Sequence, residues 1–162
     1  HIQTGTDMQF ASKEDIEAPI EEVFDMLCEF ESFERSAIRR GVEVRRVSDS
    51  VTPRAGLEWR AKFDLRGKPR ELDLQLAEFD RPNAMKFDAK SGGLDSVMAI
   101  DLVSLSPRRT RISVAIDLKP RTLSARLLVQ SLKLAKANLT KRFKLKVAEY
   151  AKSLEDRHKS SA

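Results

Sequence analysis

The chain is short of the residues that carry most catalytic and metal chemistry. Its 162 residues include one cysteine, two histidines, one tyrosine and one tryptophan. A single thiol, Cys28, excludes an internal disulfide, so an oxidising compartment is not required. Cys28 falls in an apolar helical pattern without a companion thiol or histidine, which reads as a buried, inert side chain rather than a nucleophile. The two histidines, His1 and His158, stand at opposite ends of the chain, and neither is expected to reach the interior. That removes histidine-based acid–base catalysis. No CxxC, HExxH or clustered His/Asp set occurs, so no metal site and no cofactor are expected. Ser91-Gly92-Gly93 reads as a hairpin turn and not as a phosphate loop.

No apolar run approaches the ~20 residues that cross a bilayer, and no signal peptide is legible. The expected location is the cytoplasm. The chain opens on His1, and residues 1–7 are read as a tail or tag remnant. One domain is expected over 8–157, with a short tail over 158–162.

Charge is abundant but unevenly placed. The overall formal charge is +5, yet from Arg121 onward eleven Lys/Arg face three Asp/Glu, a local net of +8 that leaves −3 for the rest. A basic helix of this kind either presents a solvated face or attracts anionic lipid or nucleic acid. Its exposed basic positions lack interleaved aromatics for stacking, so nucleic acid is not an expected partner.

What is present is alternation. Met8–Ile16 reads as a first strand, with Met8, Phe10 and Ile16 on one parity. Pro19 suits a helix start, and Ile20, Val23, Phe24 and Leu27 follow at helical spacing. A second short helix is expected over Glu31–Arg40, ended by Gly41. Then come six alternating runs: Val42–Asp49, Gly56–Leu65, Arg70–Phe79, Ala84–Lys90, Leu94–Leu105 and Arg109–Leu118. The short turn-forming joints between them indicate an antiparallel meander. With residues 66–69 as a loop, Trp59 is expected opposite Leu76, Ala61 opposite Leu74, Phe63 opposite Leu72 and Lys62 opposite Asp73. Leu128, Leu132, Ala135, Leu139, Phe143, Val147, Tyr150 and Leu154 then form one helical stripe. A continuous helix over Thr122–Arg157 would be roughly 50 Å long. A weaker line of Leu123, Leu127, Leu134 and Leu145 lies off that stripe, available to the short helices or to a partner subunit.

The element order, together with EAPIEEVFDMLCEFESF (Glu17–Phe33), GLEW (Gly56–Trp59), AEFDRP (Ala77–Pro82) and KPRTLSARLL (Lys119–Leu128), resembles the START-like (SRPBCC) superfamily. That group includes the polyketide cyclase/dehydrase and lipid-transport family and the birch-pollen-allergen-like proteins. The resemblance implies an α+β helix-grip fold. A curved antiparallel sheet of about seven strands wraps a long C-terminal helix, with two short helices between the first and second strands. It also implies an apolar cavity between sheet and helix for lipids, sterols, polyketides or similar molecules, without naming one.

By parity the strands direct Trp59, Phe63, Leu74, Leu76, Met85, Phe87, Met98, Ile100 and Val114 inward. The helix contributes Leu132, Leu139 and Phe143. Such residues either fill a core or line a hollow, and the implied fold favours a hollow. Polar candidates near it are few. Lys136 and Lys146 flank the helical stripe, either anchoring an anionic head or snorkelling to water. Glu14 shares parity with Phe10, and Tyr150 brings a hydroxyl to the sheet-facing stripe. No catalytic residue is assigned. The expected function is binding or carriage of a hydrophobic small molecule by a monomer or weak homodimer. The alternatives are a polyketide cyclase/dehydratase in which Glu14 or Tyr150 moves a proton, and a basic helix that contacts anionic membranes.

Overall fold

The computed structural model describes residues 8–47 and 52–161. Strand β1 (Met8–Ile16) leads through helices α1 (Ile20–Leu27) and α2 (Phe30–Arg39) into β2 (Glu43–Arg46). Strands β3 (Glu58–Leu65), β4 (Lys68–Asp80), β5 (Ala84–Ser91), β6 (Leu94–Ser106) and β7 (Arg109–Pro120) follow, then helices α3 (Leu123–Lys133) and α4 (Lys136–Ser161). The strands form one sheet ordered β1-β7-β6-β5-β4-β3-β2, antiparallel throughout. The expected strand over Val42–Asp49 is shorter: β2 ends at Arg46, and positions 48 and 49 lie outside the described residues.

The β3–β4 pairing differs from expectation by two residues. Trp59 faces Leu74, Ala61 faces Leu72, Phe63 faces Arg70 and Lys62 faces Glu71. The cause is a tighter turn: Arg66 and Gly67 alone make the loop, with φ of 54° and 78°. Two successive positive φ values match the twist of paired strands, so Lys68 and Pro69 belong to β4 and not to the turn. A slip of two preserves side-chain parity, so the apolar face stays whole although every partner changes.

The expected single rod over Thr122–Arg157 is two helices. Thr122 caps the first through its hydroxyl, which accepts from the Ala125 N–H at 3.1 Å. At the break the Ala135 N–H bonds Leu132 O, three residues back, and the regular pattern resumes with Leu139 N–H to Ala135 O. Neither Pro nor Gly causes this. Ala125 and Val129 anchor α3 and Val147, Ala151 and Leu154 anchor α4, and no side chain between Val129 and Val147 is fully buried. Fully buried anchors therefore hold the two ends, and the segment between them, held only by partly buried side chains, bends. The second helix also runs past Arg157 to Ser161, with His158 Nδ1 against Glu22 Oε2 of α1.

The core lies where α1 and the C-terminal half of α4 meet the sheet. Ile16, Val23, Phe24, Leu27, Leu76, Met85, Leu102, Ile112 and Leu154 form its centre. Thr110 is also fully buried and donates to Ala18 O at 2.8 Å, which satisfies its hydroxyl. At the opposite end of the sheet Gly93 packs beneath Thr122, where an added Cβ would overlap the Thr122 hydroxyl. Gly93→Ala is expected to displace that cap and cost about 1–3 kcal/mol. Urea unfolding measures it, and an unchanged midpoint contradicts this packing.

Candidate functional site

The concave face of the sheet is a ladder of inward rows. One row runs Trp59–Leu74–Ala89–Ser96–Leu118–Met8, and the next Leu76–Phe87–Met98–Ile116–Phe10. A third runs Phe79–Met85–Ile100–Val114–Ser12. Six strand spacings of about 4.8 Å make seven strands about 29 Å wide. A helix with its side chains is only about 10–12 Å across. One C-terminal helix cannot cover such a sheet.

The residues expected to line a hollow divide accordingly. Trp59, Leu76, Met85 and Phe87 are buried and belong to the core. Phe63, Leu74, Met98, Ile100 and Val114 are half-buried on the sheet, as are Leu132, Leu139 and Phe143 on the helices. Phe143 reaches β1, its ring 5.9 Å from that of Phe10. The half-buried set extends through Ala61, Leu72 and Ile116, so the open part of the floor is continuous and apolar.

Two surface depressions accompany this floor. One of about 730 Å³ lies at the β2–β4 end, bordered by Gly41, Phe63, Arg70, Ser91 and Gly92; Glu43, Lys62, Asp64, Lys68, Pro69 and Glu71 complete its wall. The second, about 610 Å³, lies over the α1–α2 corner beside Cys28, Phe30, Arg35, Arg46 and Arg157. Of the twelve expected apolar residues, Phe63 alone borders either depression.

The polar groups are arranged with more detail than the sequence suggested. Glu34 Oε2 accepts from Trp59 Nε1 at 2.7 Å and from Arg46 Nε and Nη2 at 2.9 and 2.7 Å. This carboxylate ties α2 to β2 and β3 and satisfies the buried indole. Arg46 shares inward parity with Val44, so a cation on an apolar face was its visible signal. Arg70 is a second missed residue. It faces Phe63 from the inward side of β4, its Nη1 near Gly92, with no ion-pair partner among the described residues.

Among the expected anchors, Glu14 is half-buried on β1, while Lys136 and Lys146 are exposed and Lys146 pairs with Glu149 at 3.6 Å. Tyr150 sits where α4 meets the α1–α2 corner, its ring 5.8 Å from Phe33. Its hydroxyl is buried and has no hydrogen-bond partner among the described residues. Burial pushes its pKa well above the ordinary 10.0, and Glu29 adds to the shift. Burial likewise raises Cys28, which keeps it a thiol and not a nucleophilic thiolate. Asp117 of β7 has a buried Oδ1 without a partner among the described residues. No group of three His, Cys, Asp or Glu among the described residues is placed to hold a metal ion.

Solved structures share this architecture at low identity. A Thermus thermophilus protein aligns over 96% of this chain and 99% of its own, with TM-score 0.63 and 17% identity. The Zhui aromatase/cyclase of Streptomyces sp. R1128 aligns over 93% and 94%, at 0.62 and 12%. A START superfamily protein of Mycobacterium smegmatis aligns over 83% and 95%, at 0.54 and 12%. No family model matches the chain, and no curated protein matches it in sequence. The chain has the START-like helix-grip fold.

Tyr150 is the only tyrosine, so its ionisation is directly visible in the ultraviolet. A folded-state pKa raised above 10.0 means that the native protein keeps a proton the unfolded chain loses. Stability from this group is therefore unchanged below about pH 10 and falls as pH rises beyond it. Phenolate absorbance is expected only together with alkaline unfolding. Titration near pH 10 in the folded protein contradicts the burial.

Proposed function

We propose that the protein binds a hydrophobic small molecule or lipid on the open part of the concave floor. The observation that carries this reading is the apolar concave floor left half-buried at Leu74, Met98, Ile100 and Val114, beside the buried Leu76, Met85, Leu102 and Ile112. Apolar area left partly wet yields free energy when an apolar ligand covers it, at about 25 cal/mol per Å². Its lining of methionine and branched side chains adapts to a range of shapes.

Arg70 at the rim supports an amphipathic ligand whose head is an acid or another strong acceptor. The guanidinium stands on the same side of the sheet as Phe63, Leu72 and Leu74, so head and body of one molecule meet both. A charge-assisted hydrogen bond contributes about 1.5–3 kcal/mol.

Cyclase or dehydratase activity is a second reading, favoured by one observation, the unpartnered buried hydroxyl of Tyr150. An isolated buried hydroxyl costs about 1–3 kcal/mol, and a substrate acceptor would relieve that cost. A phenol held neutral also donates a hydrogen bond to charge developing on a substrate oxygen.

These readings separate in two experiments. Displacement of an apolar dye is read out by the fluorescence of Trp59, the only tryptophan. A long-chain carboxylate is expected to displace dye better than the matching alcohol by roughly tenfold, or about 1.4 kcal/mol. Arg70→Gln removes that difference, and Leu74→Asp weakens both ligands. Absence of saturable dye binding removes the proposal. Tyr150→Phe is expected to leave the ligand-free protein as stable or about 1 kcal/mol more stable. For a carrier it preserves binding; for a cyclase it abolishes turnover of a poly-β-keto substrate while binding persists.

A further inference from the structure

Four leucines stand in solvent along the C-terminal helices: Leu123, Leu127, Leu134 and Leu145, at 74%, 63%, 91% and 57% exposure. On α3 the buried side chains are Ala125 and Val129. At about 100° per residue, Leu123, Leu127 and Leu134 project from the opposite side of the helix. Leu134 occupies the elbow between the helices, where the tightened turn at Ala135 lifts it clear of both. Scattered exposed leucines are ordinary, but a line of them opposite a buried face is a surface that something covers.

The charge around this line is of one sign. Between Arg121 and Ala148 the chain has eight Lys/Arg and no Asp/Glu. Arg126, Lys136, Lys141 and Arg142 are all exposed and lie on the same two helices as the leucines. The same end of the sheet is bridged by α3: it begins beside Gly93, and its Ser131 hydroxyl accepts from Arg66 Nη1 of the β3–β4 turn at 2.8 Å.

We propose that the outer face of α3 and its elbow with α4 is a docking surface for an anionic lipid bilayer. The leucines enter the boundary between head groups and acyl chains, and the Lys/Arg of the same helices meet anionic head groups. Charge complementarity decides between occupants. A second copy of this chain would set one cationic face against another, which like charges oppose. Nucleic acid would satisfy the cations yet leave the leucines against phosphates. An anionic bilayer satisfies both parts of the surface. The inference stands on this outer face alone and does not require that the concave floor hold a ligand.

The test is co-sedimentation of the purified chain with vesicles of phosphatidylcholine, with and without phosphatidylglycerol, at low and high salt. Binding is expected to the anionic vesicles at low salt, to fall as salt screens the cations, and to be weak on phosphatidylcholine alone. Leu127→Asp with Leu134→Asp is expected to lower anionic partitioning by roughly tenfold or more, as is Lys141→Glu with Arg142→Glu. Both pairs lie in solvent, and unchanged melting temperatures confirm that the variants are folded. Short-chain phosphatidylglycerol below its micelle concentration is not expected to compete, which separates a bilayer surface from a single lipid in the hollow. Competition by the monomeric lipid overturns the proposal. So does equal binding to both vesicle types, absence of binding to either, or binding that survives both variant pairs. Concentration-dependent dimerisation abolished by the leucine substitutions also overturns it and assigns the face to a second copy.

Discussion

The structure follows from a mismatch of widths. Seven strands side by side make an apolar face far broader than one helix can cover. Helix α4 lies along β1, α1 reaches β6 and β7, and α2 meets the short strand β2. Together they bury Thr110, Ile112, Leu102, Met85, Phe87 and Leu76 and leave Leu74, Met98, Ile100 and Val114 half-buried. The half-buried part of the face results from how much sheet there is for the helices to hide.

Polar ties keep the covered end closed. Arg157 of α4 donates to Glu29 at 2.9 Å, Glu155 accepts from the Glu17 N–H at 2.8 Å, and His158 meets Glu22. Each of these exposed contacts contributes little alone, typically below about 1 kcal/mol. Their joint effect is directional, because all three hold the C-terminal half of α4 to α1 and the segments flanking it. The Glu34–Arg46–Trp59 cluster does the same for α2 and the sheet edge, with a buried indole that needs its acceptor. Between Val129 and Val147, where the helix breaks, no side chain is fully buried.

Most of the architecture was legible because a two-residue period survives errors in pairing. Trp59, Leu74 and Phe87 were assigned to the right face even though the β3–β4 register was off by two. The break at Leu134 was not legible. Val129 and Val147 are eighteen residues apart, five full turns of an ideal helix, so the stripe stays in phase as if the rod were straight. The site was harder still. Arg70 was hidden by assigning its neighbours to a loop, although its parity with Leu72 and Leu74 was visible. Glu34 meets Arg46 and Trp59 through the docking of a helix on a strand, and local periodicity does not encode such contacts. Which inward side chains are core and which are floor depends on helix placement, and parity treats Leu76 and Leu74 alike.

The central claim is that the two halves of one apolar face differ in their access to solvent. Single cysteines placed in a Cys28→Ser background at Leu74, Met98, Leu102 and Ile112 test it through their reaction rates with a small thiol reagent in the native protein. The account predicts rapid labelling at Leu74 and Met98, and labelling at Leu102 and Ile112 only at the rate of unfolding. Equal protection at all four positions would show a completely filled interior and contradict it.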